Sequence, residues 1–177
     1  MLTFRRIYPG ASSVDNVKNL FLTAFTEDER PPFEIALAWE RTCFEEVSED
    51  GEFIGLRMTL EKDDIAYLFF LAIDPKKRNK GYGSQVVDDF VRAHPSQRLY
   101  LLADEYEPSY KDADIRARRL GFYQRHGFIR TGIIINEYGV RYEVLCQNGQ
   151  VSKQDHIDMM EYLLDKEYFR VYLQNVS

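Results

Sequence analysis

The chain has 177 residues, 45% of them hydrophobic and 29% charged, and a formal net charge of -6. This is length enough for one domain with a substantial core, and an ordinary balance for a soluble globular protein. The acidic pI near 5.2 argues against a nucleic-acid-binding surface and is compatible with a cationic substrate. The longest apolar run is far below the roughly 20 residues of a membrane span, and MLTFRRIYPG lacks the apolar core of a secretion signal.

Thr3 to Tyr8 alternates loosely and predicts an edge strand, ended by Pro9-Gly10. Ser12 or Ser13 can cap a helix with Asp15 in its first turn. Val14, Val17, Leu20, Phe21, Ala24 and Phe25 form its apolar face, and EDERPP (Glu27 to Pro32) breaks it. A short helix over Phe33 to Arg41 follows, with Trp39 expected in the core. Cys43 to Val47 and Glu52 to Leu60 predict a hairpin around Ser48-Glu49-Asp50-Gly51.

Ile65 to Ile73 (IAYLFFLAI) carries no charge and is stopped by Asp74-Pro75. Such a run suits a strand buried on both faces. After the loop KKRNKGYGS (Lys76 to Ser84), Val86, Val87, Phe90 and Val91 keep helical spacing. Lys76, Lys77, Arg78 and Lys80 place four cations within five residues of an acidic chain. Strand, basic glycine loop and helix together aim free backbone N–H groups at a phosphate, and Gly81 and Gly83 let the backbone approach a ligand closely.

Leu99 to Ala103 predicts a second buried strand, parallel to the first because a helix connects them. Asp104 to Asp114 is acidic and irregular. Arg116 to Arg125 predicts a helix ending at Gly127, and Arg130 to Asn136 with Val140 to Cys146 a terminal hairpin. From Lys153 onward, Ile157, Met160, Leu164, Tyr168 and Val171 keep helical spacing, so one last helix is expected. It is left to cover the domain or to pair with a second copy of the chain. Cys43 and Cys146 lie far apart and His94, His126 and His156 show no ligand spacing. No metal site is expected, and the cysteines suggest reduced thiols in the cytoplasm.

The loop fits neither G-x-x-x-x-G-K-[ST] nor G-x-G-x-x-G, since position 86 is Val. Arg78-Asn79-Lys80-Gly81-Tyr82-Gly83 does match R-x-x-G-x-G, after a strand ending Ile73-Asp74-Pro75. This resembles the acetyl-CoA loop of the GNAT family of N-acetyltransferases. Leu120 to Phe128 (LGFYQRHGF) resembles that family's second signature, [LF]-Y-x-x-x-G-F. The resemblance spans roughly Ile65 to Phe128, both motifs in order.

The resemblance implies a mixed α/β chain with a three-layer α/β/α fold. The sheet would be mostly antiparallel with a central parallel pair of strands, and the last helix would be an addition to it. Residues 1–150 would form the acetyltransferase domain and 151–177 a helical extension, on the same domain or on a second subunit. Acetyl-CoA would be the co-substrate, with no metal. It would lie where the two parallel strands part, with Leu71, Ala72 and Ile73 as backbone contacts to pantetheine. Arg78, Asn79, Lys80, Gly81, Tyr82, Gly83 and Ser84 would meet the pyrophosphate. The acceptor would be a small-molecule or peptide amine, with the arrangement Phe25, Glu29, Arg30, Pro32, Phe33 near its entrance. Neither nucleic acid nor membrane is expected as a partner.

Tyr123 matches the tyrosine that protonates the leaving thiolate in many members. A thiol has a pKa of about 8.5 and a phenol about 10, so a placed Tyr can donate without ionising first. Glu105, just past the Leu99 to Ala103 strand, is the candidate base; crowding by Glu107 would raise one carboxyl pKa. Asp104, Glu107 and water are the alternatives. Where many members carry Asn and Ala, seven and four residues before the Tyr, this chain has Arg116 and Arg119. Arg cannot accept a hydrogen bond, so one of these is a candidate for the 3′-phosphate; the alternative is that they are solvated or paired with the acidic stretch Asp112 to Asp114. The competing functional reading is a catalytically silent acyl-CoA-binding or sensor module; a nucleotide-phosphate binder lacks the Walker residues.

Overall fold

The computed structural model describes residues 1–11 and 14–177. The cap expected at Ser12 or Ser13 lies outside the described residues. The strands are β1 (Leu2–Arg6), β2 (Thr42–Glu49), β3 (Glu52–Lys62), β4 (Ile65–Ile73), β5 (Arg98–Asp104), β6 (Ile129–Glu137) and β7 (Val140–Gln147). The helices are α1 (Val14–Ala24), α2 (Phe33–Ala38), α3 (Tyr82–Ala93), α4 (Ala113–Arg125), α5 (Lys153–Leu163) and α6 (Lys166–Asn175). Strands neighbour one another in the order β1-β2-β3-β4-β5-β7-β6. Among the described residues β4 and β5 are the one parallel pair, so this is the expected mixed α/β fold with a mostly antiparallel sheet. The chain forms two compact units: Met1–Glu61 with Leu68–Pro95, and Lys62–Tyr67 with Ser96–Ser177.

In the first unit, β1 to β3 and the C-terminal part of β4 carry helices on both faces. Val17, Leu20 and Phe21 of α1, at helical spacing, bury against Phe33 and Ala36 of α2 and Phe44, Leu56, Met58, Phe70 and Ala72 of the strands. Phe21 is the hub, with ring centroids 5.1–5.8 Å from those of Phe25, Phe33, Phe44 and Phe70. On the opposite face Val47, Ile54 and Val86 bury together, flanked by Leu71, Ile73 and Tyr82. The switch between Ala72 and its neighbours is the period-2 alternation of a strand. A buried guanidinium fixes α3 from below: Arg57 binds Glu45 at 2.7 Å and Asp89 of α3 at 2.8 Å, and lies 4.1 Å from the Phe4 ring centre. Trp39, expected in the core, is half-buried and stacks on Phe69.

In the second unit, the parallel pairing of β4 with β5 covers Ile65, Ala66 and Tyr67 against Arg98, Leu99 and Tyr100. β5 then pairs antiparallel with β7, and β7 with β6. The single last helix expected from the apolar spacing is two helices. Leu164 is extended, and Asp165 starts α6 by accepting from the Glu167 and Tyr168 N–H groups. The new N-cap breaks the helix and re-aims its apolar side: Tyr168 and Val171, expected on the stripe, are exposed, and Tyr172 is the buried residue of α6. Beneath α5 and α6 runs a polar chain. Tyr100 Oη lies 3.0 Å from His156 Nδ1, His156 Nε2 2.8 Å from Glu137 Oε1, and the Tyr172 hydroxyl donates to that oxygen at 2.7 Å. A carboxylate only accepts, which places a proton on Nε2.

Candidate functional site

The first unit holds the glycine loop. Asp74 ends β4 and its carboxylate accepts from the Lys76 N–H at 2.8 Å, starting one 3-10 turn over Pro75–Lys77. Arg78 returns its Nε to the Ile73 carbonyl at 3.1 Å. Asn79 (φ 63°) and Gly81 (φ 82°) both take left-handed backbone, and Gly81 is the N-cap of α3. Gly81 tolerates this because it has no Cβ. The space its Cβ would occupy is open to 4 Å. The helix ladder begins with Gln85 N–H to the Gly81 carbonyl, 3.1 Å. The Tyr82 and Gly83 amides therefore precede the ladder, and no side chain caps the helix. Two of the four cations are engaged, Lys77 by Glu52 and Arg78 by the Ile73 carbonyl. Lys76 and Lys80 are exposed, and Lys80 directly precedes Gly81 in the chain. This combination suits an anion with two or more phosphate charges.

Of the three β4 residues expected to offer backbone groups, the structure separates one from the other two. A Cβ on Gly55 of β3 would stand 2.3 Å from the Ala72 carbonyl oxygen, so that carbonyl is turned toward β3. Strand alternation then turns the polar groups of Leu71 and Ile73 away from β3. Their side chains pack toward α3.

The second unit holds Tyr123 and Glu105. Tyr123 is in the last turn of α4. Phe128 N–H bonds the Tyr123 carbonyl at 3.2 Å and Gly127 N–H the Gln124 carbonyl at 3.1 Å, with Gly127 at φ 88°. That pair of bonds is a Schellman stop, with Gly127 in the left-handed position and a Tyr123–Phe128 contact accompanying it. The spacing Tyr-x-x-x-Gly-Phe is thus what places the phenol at this helix end. Tyr123 is half-buried, and burial pushes its pKa up; the charges that reach it are Arg119 and Asp104, with opposing effects. Arg119 is ion-paired with Asp104 at the end of β5.

Glu105 is 7% exposed. Both oxygens are held by Arg141, Nε to Oε2 and Nη2 to Oε1 at 2.7 Å each, and the Tyr110 hydroxyl donates to Oε2 at 2.9 Å. The crowding by Glu107 expected from the sequence, with a raised pKa, is corrected. Glu107 is exposed. The Arg141 hydrogen bonds, against some desolvation and with help from Tyr110, pull the Glu105 carboxyl down to about 2. Arg116 chelates Asp112 at 2.9 and 3.0 Å, donates to the Glu105 carbonyl at 2.9 Å, and covers the Tyr110 ring. Arg116 and Arg119 are thus both engaged by carboxylates. Arg141 and Tyr110 escaped the sequence reading because only the β5–β7 register brings Arg141 beside Glu105.

The loop Phe25 to Phe33 is closed on itself: Glu29 accepts from Thr26 through N–H and hydroxyl, and Arg30 Nε donates to the Phe25 carbonyl. Among the described residues, no group of three or more His, Cys, Asp or Glu side chains could hold a metal ion, and no helix is long and apolar enough to cross a membrane.

Residues 40–130 match the family model of the GNAT acetyltransferase domain. Among curated proteins none matches the chain in sequence. Solved structures share its fold. A Bacteroides thetaiotaomicron protein described as a GNAT-family acetyltransferase superposes with TM-score 0.74 at 19% identity, over 94% of this chain and 98% of that one. A GNAT-family acetyltransferase from Elizabethkingia anophelis with acetyl-CoA bound gives 0.58 at 16%, over 82% and 97%. The ribosomal-protein-S18-alanine N-acetyltransferase of Escherichia coli gives 0.59 at 16%, over 86% and 97%.

Proposed function

The chain belongs to the GNAT acetyltransferase family, and from that premise we propose that it transfers an acetyl group from acetyl-CoA to a primary amine by direct attack. The observation that carries this reading is the start of α3. Uncapped amides follow a left-handed Gly81, the space at that glycine is open, and the loop leading to it carries the exposed Lys76 and Lys80. A pyrophosphate needs such a cradle.

When bound, acetyl-CoA supplies the thioester whose acetyl group moves. Arg78, Asn79, Lys80, Gly81, Tyr82, Gly83 and Ser84 hold its phosphates, chiefly through backbone N–H groups. Leu71 and Ile73 offer outward backbone groups to the pantetheine amides in the manner of an added strand. Ala72 keeps β4 on β3 between them. Tyr123 gives its proton to the departing sulfur; burial keeps the phenol protonated until that moment.

Glu105 enters in a changed role. A carboxyl held down to about 2 is a poor acceptor for the proton of an ammonium with a pKa near 10. Glu105 therefore orders the segment after β5 by gripping Arg141 and Tyr110, and the amine attacks as the neutral fraction that equilibrium with bulk solvent supplies, a fraction that rises with pH toward the amine's own pKa. The acceptor is a small-molecule or peptide amine; the Escherichia coli neighbour acts on a protein alanine. A cytoplasmic setting goes with this reading, since both cysteines are free thiols. The test is an amine screen with thiol release as readout. Acetyl-CoA-dependent release with at least one amine class supports the reading. Tight acetyl-CoA binding with no release across amines, polyamines and peptides contradicts transfer and leaves a silent acyl-CoA module.

A further inference from the structure

We propose that Glu49 and Glu52, at the tip of the β2–β3 hairpin, are positioning residues for the glycine loop, holding Tyr82 and Lys77 so that the first amides of α3 keep their arrangement. This rests on the reading of that loop as the phosphate cradle.

The tip is built to be stiff. Asp50 and Gly51 both have positive φ, 52° and 82°, the signature of a tight two-residue hairpin turn. Just below, the pairing steps from Val47 with Gly55 to Ser48 with Phe53, so Ile54 is an extra residue in β3. Such a bulge sharpens the local twist and re-aims the residues beyond it. Beyond it Glu49 and Glu52 face each other as the last cross-strand pair. Two like charges directly opposite destabilise a hairpin. Here each has a partner on the loop side. Glu49 Oε2 accepts from the Tyr82 hydroxyl at 2.8 Å, with the Met1 amino group 3.2 Å from Oε1, and Glu52 pairs with Lys77. Tyr82 is the first residue of α3 and Lys77 the last of the 3-10 turn. The two bonds therefore bracket Arg78 to Gly81 at both ends. Both carboxyls are held below their usual range by these same bonds. The unfavourable Glu49–Glu52 pair is thus retained where it fixes the loop.

The experiment joins amide hydrogen exchange of residues 81–85 in the ligand-free protein to calorimetric titration with acetyl-CoA. The variants are Tyr82→Phe, Glu49→Ala, Glu49→Gln and Glu52→Ala. Tyr82→Phe and Glu49→Ala are expected to speed exchange several-fold. They should weaken acetyl-CoA by roughly two- to fivefold, the scale of an exposed polar contact, and Glu49→Ala should keep kcat. Glu49→Gln retains an acceptor and should restore most of both. Unchanged exchange overturns the proposal, as does faster exchange with unaltered affinity. If the unaltered protein binds no acetyl-CoA, the cradle reading itself fails and takes the proposal with it. Binding that is indifferent to all four variants removes the proposal alone.

Discussion

Arg141 grips Glu105 through two nitrogens at 2.7 Å each, across the β5–β7 register and from 36 residues away in sequence. This contact decides what Glu105 can do at neutral pH. Its carboxyl sits at about 2 against an ordinary value of 4.5. A depressed carboxyl stabilises the fold fully above its ordinary pKa, and that contribution fades as pH falls from about 4.5 toward about 2. Glu105→Gln should therefore melt below the unaltered protein at pH 7, with the gap narrowing near pH 3. Its rising pH–rate limb should persist, because that limb belongs to the amine. Loss of the limb in Glu105→Gln would restore Glu105 as the base.

Tyr123→Phe removes a proton donor and little else, since the ring packing on Phe122 and Phe128 survives. Turnover should fall by about 10²-fold or more while acetyl-CoA affinity changes little. Steady-state kinetics beside calorimetry separate the two quantities. A fall in affinity with kcat unchanged would make Tyr123 a packing residue.

The Glu137 carboxyl illustrates a buried charge kept ionised by its partners. Burial would raise its pKa, but hydrogen bonds from His156 and Tyr172 outweigh that and lower it. Removing His156, itself fully buried, leaves the charge short of a partner. His156→Ala should cost about 3 kcal/mol by denaturant titration at pH 7. The loss should shrink as pH falls from the ordinary carboxyl value down through the lowered one, where Glu137 protonates in the folded protein as well. A near-neutral substitution would mean that water replaces the imidazole at no cost.

Gly55→Ala places a methyl 2.3 Å from the Ala72 carbonyl oxygen, a backbone atom that cannot rotate aside. β3 and β4 must part there. A lower melting temperature is expected, with weaker acetyl-CoA binding because Leu71 and Ile73 move with Ala72. Unaltered stability and affinity in Gly55→Ala would show that β4 has slack at this point.

The element order was legible because the signals were local. An uncharged run stopped by Asp-Pro marked β4, Ser48 to Gly51 marked the turn, and helical spacing marked α1 and α3. The conformation of the glycine loop was legible for the same reason, since a glycine before a helical run announces the left-handed N-cap that Gly81 adopts. Failures came where partners lie far apart in sequence. Glu105 read as crowded by Glu107, its neighbour along the chain, but Arg141 across the sheet decides its charge. The break before α6 was hidden because Leu164 and Tyr168 keep the apolar spacing through it, and only the cap role of Asp165 interrupts the helix. The Tyr-x-x-x-Gly-Phe spacing was legible for a structural reason as well, since a Schellman stop demands it whatever the phenol does.

The most direct measurement is calorimetric titration with acetyl-CoA, with ATP and NAD as controls, on the unaltered protein and on Gly81→Glu. Micromolar binding of acetyl-CoA alone is expected. It should weaken by about tenfold or more in Gly81→Glu, as for a lost charge-assisted contact, in a variant that still melts cooperatively. Acetyl-CoA binding unaffected by Gly81→Glu, or no binding at all, would contradict the assignment of the phosphates to the start of α3.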